Sequence, residues 1–381
     1  MMSKKKVLLL TNTPFSMSSY GVVARNMIKA MPDYEWYVVS RQWRDPRMIF
    51  KCGNTPYMLI PCAEGDHYGF DSFLREIERV QPDCVITMGD IGIQYGYATK
   101  IHKYWKGKKL NWLAYTPIDS DWLNSELVDN LKKISSVGRI VAMSKFGQKV
   151  IKELAELKVP MVYHGVDLET FHPISITDRT KIRKEMGLTG KFVVFSNSNN
   201  QQRKQLPKLI EAFGKAKIKN KFLILHTDMV PSSQFGGIEI VDYVKLLGLN
   251  KCVALTQRDQ YPGWRSEWTD VRINEMYNVS DVFIFNGCEG FGLPVLESQA
   301  TNTPVVAGDN TTMPELVPKN NLVKRGSWDY STRTRYGVID TDAMARKLEE
   351  ISKSKISQLR VCEIGNGWTW EDVCKGWKKL I

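Results

Sequence analysis

The stretch EGFGLPVLESQATNTPVV, Glu289 to Val306, sets two carboxylates, Glu289 and Glu297, with seven residues between them across a short glycine-bearing turn. The run before it, Asp281 to Phe285, reads as a buried strand, and Pro294 suits the first position of a helix. Glu289 therefore falls where a strand hands over to a helix, the edge at which open α/β sheets bind ligands. Free amides at a helix start favour an anion such as a diphosphate. Gly290 and Gly292 let backbone approach a phosphate, and the amides around Phe291, Gly292 and Leu293 can point at its oxygens. Glu297, expected in the first helical turn, suits ribose hydroxyls; equally, it could only complement the helix dipole.

Two further acids, Asp119 and Asp121 in YTPIDSDWL, follow another strand-like run. They spell D-x-D, a pattern in which two carboxylates hold a divalent ion on donor phosphates, and equally a local turn. The five histidines, His67, His102, His164, His172 and His226, are scattered without the short spacings of a zinc site. His226 ends a strand-like run, where a ligand contact and a structural role are both open.

The elements that must position these groups are βα units. Short apolar runs recur as KVLLLTN, DCVITMG, NWLAYTP, RIVAMS and MVYHGV, and then as KFVVFSNSN, KFLILHTD, CVALTQ, DVFIFNG and TPVVAGD, with helical patterns after several of them. Two such series predict two Rossmann-like, doubly wound α/β domains facing each other across a cleft. The pattern breaks near FHPISITDRT, which sets an N-terminal domain at 1–172 and a C-terminal domain at 173–361. Residues 362–381 form a closing helix, with Thr369 as its N-cap, acids in its first turn and lysines near its end.

Composition narrows the classes. The chain has 381 residues, 43% hydrophobic and 25% charged, enough for two packed domains. Its seven cysteines are odd in number and lack a C-x-x-C pair, which argues against a disulfide framework and a zinc ribbon and for the cytoplasm. No run resembles a secretory leader or a membrane span. The net charge of +12 is spread over both halves, as a solubility property would be, and no nucleic-acid motif accompanies it. One dense basic cluster, KIHKYWKGKK from Lys100 to Lys109, carries aromatics among its lysines and suits an anionic surface.

The segment from Glu289 to Val306 resembles the E-x7-E region of retaining glycosyltransferases of the GT-B fold, specifically glycosyltransferase family 4. HGVDLETFHP (His164 to Pro173) resembles that family's interdomain segment, RKQLPKLIEAF (Arg203 to Phe213) its phosphate-binding region, and TWEDVCKGW its returning C-terminal helix. The resemblance implies that Lys204 neutralises the donor diphosphate, with Arg203 as a second cation. The family's commoner arginine lies five residues before the lysine, where this chain has Asn199. Thr256 and Gln257 fall at the nucleobase pocket, and Gly21 takes the place of a glycine near the donor phosphates.

The same resemblance puts Glu289 at the transferred sugar, where a carboxylate stabilises oxocarbenium-like charge or holds hydroxyls. Asp119 stands near where many relatives carry a histidine, a candidate for sugar or acceptor contact. The implied protein is a retaining transferase using a nucleotide-diphosphate sugar, with no cofactor and no required metal. Its acceptor is held by the N-terminal domain, and the Lys100–Lys109 segment points to an anionic one: lipid-linked, nucleic acid or glycan. Peripheral membrane contact fits the same segment. A non-catalytic sugar- or nucleotide-binding protein, or a metal-dependent D-x-D enzyme, is the alternative.

Overall fold

A computed structural model describes residues 3–105, 110–231, 236–257, 268–354 and 367–381. The first half is built on β1 (Lys6–Thr11), β2 (Glu35–Ser40), β3 (Met48–Cys52), β4 (Thr55–Pro61), β5 (Cys84–Met88), β6 (Trp112–Thr116) and β7 (Arg139–Ala142). They form one sheet in the order β3-β4-β2-β1-β5-β6-β7, parallel apart from the antiparallel edge strand β3. The second half is built on β8 (Phe192–Asn197), β9 (Lys221–Thr227), β10 (Val253–Gln257), β11 (Val282–Phe285), β12 (Val305–Gly308) and β13 (Leu322–Val323). Its order is β10-β9-β8-β11-β12-β13, all parallel.

Each parallel series thus runs outward from its first strand in both directions, the doubly wound pattern expected from the sequence. Strand order reverses between β1 and β5 and again between β8 and β11, which opens a crevice at the strand ends. A separate antiparallel hairpin, β14 (Arg325–Tyr330) with β15 (Arg335–Ile339), stands outside both sheets.

The helices begin where the sequence supplies caps. In the first half these are α1 (Ser19–Ala30), α2 (Phe70–Val80), α3 (Ile91–Tyr104), α4 (Ser125–Val137) and α5 (Lys145–Ala155). The side chains of Ser18, Asn124 and Ser144 accept from the amides of Gly21, Leu127 and Gly147 at the starts of α1, α4 and α5. Then follow α6 (Ile176–Glu185), α7 (Leu206–Lys215), α8 (Ile240–Leu246), α9 (Asp270–Val279), α10 (Leu293–Ala300), α11 (Met313–Leu316), α12 (Thr341–Lys353) and α13 (Trp370–Leu380). Among the described residues no helix is long and apolar enough to cross a membrane.

The two halves share apolar contact. One buried cluster runs from Leu9 and Tyr115 to Tyr277, Phe283, Phe291 and Trp377. Helix α13 carries the chain back to the first half: the fully buried Trp377 meets the Tyr115 ring edge-on at 4.8 Å, and Arg139 Nη2 donates to Leu380 O at 2.7 Å. Burying one such large side chain contributes about 1.5–3 kcal/mol.

The structure departs from the sequence reading at three places. MVYHGV does not form a strand; Met161 and Val166 make isolated bridges to Ala142 and Thr369. Pro160 precedes the segment, and its later half turns away from β7 to meet the start of α13. Conversely, β2, β3 and β4 were not legible, because their acids, prolines and polar residues blur the apolar runs. Third, Glu297 is the fifth residue of α10, past the first turn, since the helix begins at Leu293.

Candidate active site

The strands flanking the second switch point, β8 and β11, deliver the principal charges. After β8 the chain makes a short 3-10 turn, Gln202–Lys204, that presents Arg203 and Lys204. After β11 comes the loop carrying Glu289. Lys204 Nζ donates to Glu289 Oε1, and Arg203 Nη1 lies 3.0 Å from Glu289 Oε2. Arg203 also binds the loop backbone, with Nη1 donating to Cys288 O at 2.6 Å while Cys288 N donates to Arg203 O at 3.1 Å. Turn and loop are thus one unit.

From the other half, Asp119 follows β6 and places Oδ2 3.5 Å from Arg203 Nε. Burial raises its carboxyl above the usual range; the Arg203 guanidinium opposes that rise and Asp90 adds to it. Asp90 was not singled out by sequence. It accepts from Tyr20 Oη at 3.2 Å, and burial first, then Asp90, lifts the Tyr20 phenol well above its ordinary value. Two cations and two acids therefore meet between the halves, with Tyr20 and Asp90 beside them.

The loop geometry explains its glycines. A Cβ on Gly290 would lie 2.4 Å from Pro117 Cβ, so glycine lets the Glu289 loop press against the first half next to Asp119. Gly292 caps α10 at φ +114°, a left-handed conformation that ordinary residues avoid. Thr311 Oγ1 accepts from Glu289 N at 3.0 Å, and Thr312 Oγ1 donates to Glu289 O at 3.0 Å. Thr311 holds φ +46°, a strained setting for a β-branched residue that aims its hydroxyl at the loop. These threonines carried no sequence signal.

Phe291 is buried with its ring centroid 4.6 Å from that of His164, which also faces Tyr115 and Trp370. Burial drives the His164 imidazole down to about 3, and neither ring nitrogen has a hydrogen-bond partner. Leu293 opens α10. Glu297 is buried, accepts from Tyr277 Oη at 2.9 Å, and lines a narrow crevice with Arg25, Gly165, Asp270 and Leu293. Arg25 and Asp270 pair across the two halves at that crevice. Gly21 lies in the first turn of α1.

The remaining sequence candidates meet other partners. Thr256 and Gln257 end β10, the edge strand of the second sheet; Thr256 Oγ1 lies 2.9 Å from His226 Nδ1, and Trp268 packs on that imidazole at 4.4 Å. Asp121 pairs with Arg335 at 2.8 Å, so the two acids of the D-x-D pattern each face a different guanidinium. In the basic segment, Lys106, Lys108 and Lys109 lie outside the described residues. Lys100 and Lys103 sit towards the C-terminal end of α3, about 14 and 18 Å along that helix from its start at the strand ends.

Residues 262–364 match the family described as glycosyl transferases group 1. Over that stretch the chain is similar to the group 1 glycosyl transferases. Its fold is GT-B, two Rossmann-like domains across a cleft. A GDP-mannose-dependent monoacylated alpha-(1-6)-phosphatidylinositol monomannoside mannosyltransferase from Corynebacterium glutamicum is 26% identical over 230 residues, 54% of this chain and 51% of the relative. Spore coat protein SA from Bacillus subtilis is 26% identical over 250 residues, 62% of this chain and 63% of that one. Each alignment thus spans less than two thirds of the curated relative. Among solved structures, sucrose-phosphate synthase from Thermosynechococcus elongatus superposes with a TM-score of 0.73 at 13% identity, covering 99% of this chain and 98% of the other.

Proposed function

We propose that this protein is a glycosyltransferase that moves a sugar from a nucleotide-diphosphate sugar to an acceptor, with retention at the anomeric carbon. The observation that carries the reading is the meeting of Lys204, Arg203, Glu289 and Asp119 at the point where strand order reverses. A diphosphate at the Lys204–Arg203 turn takes over the two cations. Glu289 is then released towards the sugar, where its charge favours an oxocarbenium-like transition state. Glu297, aligned by Tyr277, receives the ribose, and the amides opening α10 face the phosphates.

On this reading two fixed cations supply the charge stabilisation at the leaving group, and the reaction proceeds without an added divalent metal or cofactor. Retention rests on the resemblance of the Glu289–Val306 segment to the retaining enzymes of family 4. Asp119, facing Arg203 from the first half, contacts the sugar or the acceptor hydroxyl. We assign residues 1–172 to the acceptor side and 173–361 to the donor side, and place the protein in the cytoplasm. The basic segment of α3 acts on an anionic carrier of the acceptor, at a distance from the reacting atoms.

The deciding experiment screens nucleotide sugars for thermal stabilisation and slow hydrolysis, because a ligand of the folded state raises its stability by mass action. NMR of the released sugar's first-formed anomer reports retention. A panel in which no nucleotide or nucleotide sugar shifts the melting temperature rejects the reading.

A further inference from the structure

The hairpin β14–β15 reaches from the second half to the first and ends beside Asp119. Ser120 Oγ donates to Arg335 O at 2.8 Å and accepts from Arg335 N at 3.1 Å, while Asn124 N donates to Arg333 O at 3.0 Å. Leu123 and Thr334 form an antiparallel bridge. At its base the hairpin is anchored through Gly337 O, which accepts from Gln205 Nε2 and, at 3.0 Å, from Asn310 Nδ2. Both ends are therefore fixed.

This strap brings two exposed aromatic rings together, one from each half. Trp122 keeps 38% of its surface in solvent and Tyr330 59%, yet their centroids lie 6.4 Å apart at 73°. On the same hairpin face Trp328 lies against the Arg335 guanidinium at 3.9 Å and the Arg325 guanidinium at 4.3 Å. Trp122 is three residues from Asp119, so their Cα atoms are separated by at most roughly 11 Å.

Resting on the glycosyltransferase reading, the geometry points to an acceptor subsite in which Trp122 and Tyr330 bind a sugar ring of the acceptor. A pyranose has an apolar C–H face and a rim of hydroxyls. Aromatic faces suit the first by dispersion and area burial, and charged or hydroxyl groups suit the second. Opposite Tyr330 in the hairpin register stands the Arg335 guanidinium, and the Ser331 hydroxyl follows that tyrosine in the chain, polar partners that favour a carbohydrate over an acyl chain. Because the strap already fixes both rings, little ordering opposes binding.

The test uses the full chain with α-(1→6)-mannotriose and maltotriose as probes, read by saturation-transfer NMR. Saturation should reach ring C–H protons of at least one trisaccharide in the parent. It should fall about tenfold or more in Trp122→Ala and Tyr330→Ala, and be largely kept in Trp122→Phe. Retention of nucleotide-induced thermal stabilisation in the alanine variants shows that the donor half is intact; its absence in the parent as well counts against the glycosyltransferase reading instead. Sugar binding that ignores both alanine substitutions, or no binding of either probe, overturns the subsite. So does a Trp122-dependent affinity for phosphatidylcholine–phosphatidylglycerol vesicles, which would mark a lipid contact.

Discussion

Arg335 holds Asp121 at two points, Nε to Oδ1 at 2.8 Å and Nη2 to Oδ2 at 3.0 Å, and so ties the hairpin of the second half to the loop after β6. The pair is partly screened by solvent, with about a third of each side chain exposed. A double-mutant cycle of Asp121→Asn and Arg335→Gln, read by denaturant unfolding, should return a coupling of about 1 kcal/mol. A carboxylate engaged in this way is unlike a resident metal ligand. Transfer should therefore persist in EDTA; its loss, with rescue by Mg²⁺ or Mn²⁺, would restore the D-x-D reading.

Glu289 and Glu297 should separate in kinetics. Glu289→Gln keeps the size of the side chain but removes the charge facing the sugar, and transfer should slow by roughly 100-fold or more with donor affinity nearly unchanged. Glu297→Gln still offers an oxygen to Tyr277 Oη and should weaken the donor by about tenfold. Donor titration and turnover, measured on each variant, distinguish the two roles. Parent-like transfer by both would reject the assignment.

Lys204 and Arg203 are expected to act on the diphosphate. Replacing either with Ala removes a charge-assisted contact worth roughly 1.5–3 kcal/mol, or about 10–100-fold in nucleoside diphosphate affinity. The Lys204 substitution also leaves Glu289 less well neutralised in a mostly buried place. Affinity for the uncharged nucleoside should change much less, and calorimetry of both ligands checks this.

His164 makes a prediction about stability and pH. Its folded-state value of about 3 lies below the ordinary 6.5, so between these limits the unfolded chain binds the proton and the folded chain does not. Stability contributed at this site is complete above pH 6.5 and falls as pH drops towards 3, by on the order of 4 kcal/mol. His164→Phe should flatten the acid limb of the stability curve relative to the parent. Equal slopes for the two proteins between pH 6.5 and 4 would contradict the burial argument.

By itself, the sequence determined what is local. Apolar runs such as KVLLLTN and KFVVFSNSN, followed by capped helices, dictate parallel βα units because strand and helix periodicities reside in neighbouring residues. The turn from Glu289 to Pro294 was legible for the same reason: Gly292 and Pro294 constrain their own backbone. Lys204 and Glu289 could be named as functional candidates one at a time. Tertiary structure alone decided that they touch, because they lie 85 positions apart in the chain and meet only when β8 and β11 become neighbours. The same holds for Asp119 against Arg203, for Thr311 beneath the loop, and for Gly290, whose missing side chain is explained by Pro117 of the other half. Tyr330 and Trp122 are the extreme case: one isolated exposed aromatic in each half carries no pattern, and a hairpin stitched across the cleft makes them a pair.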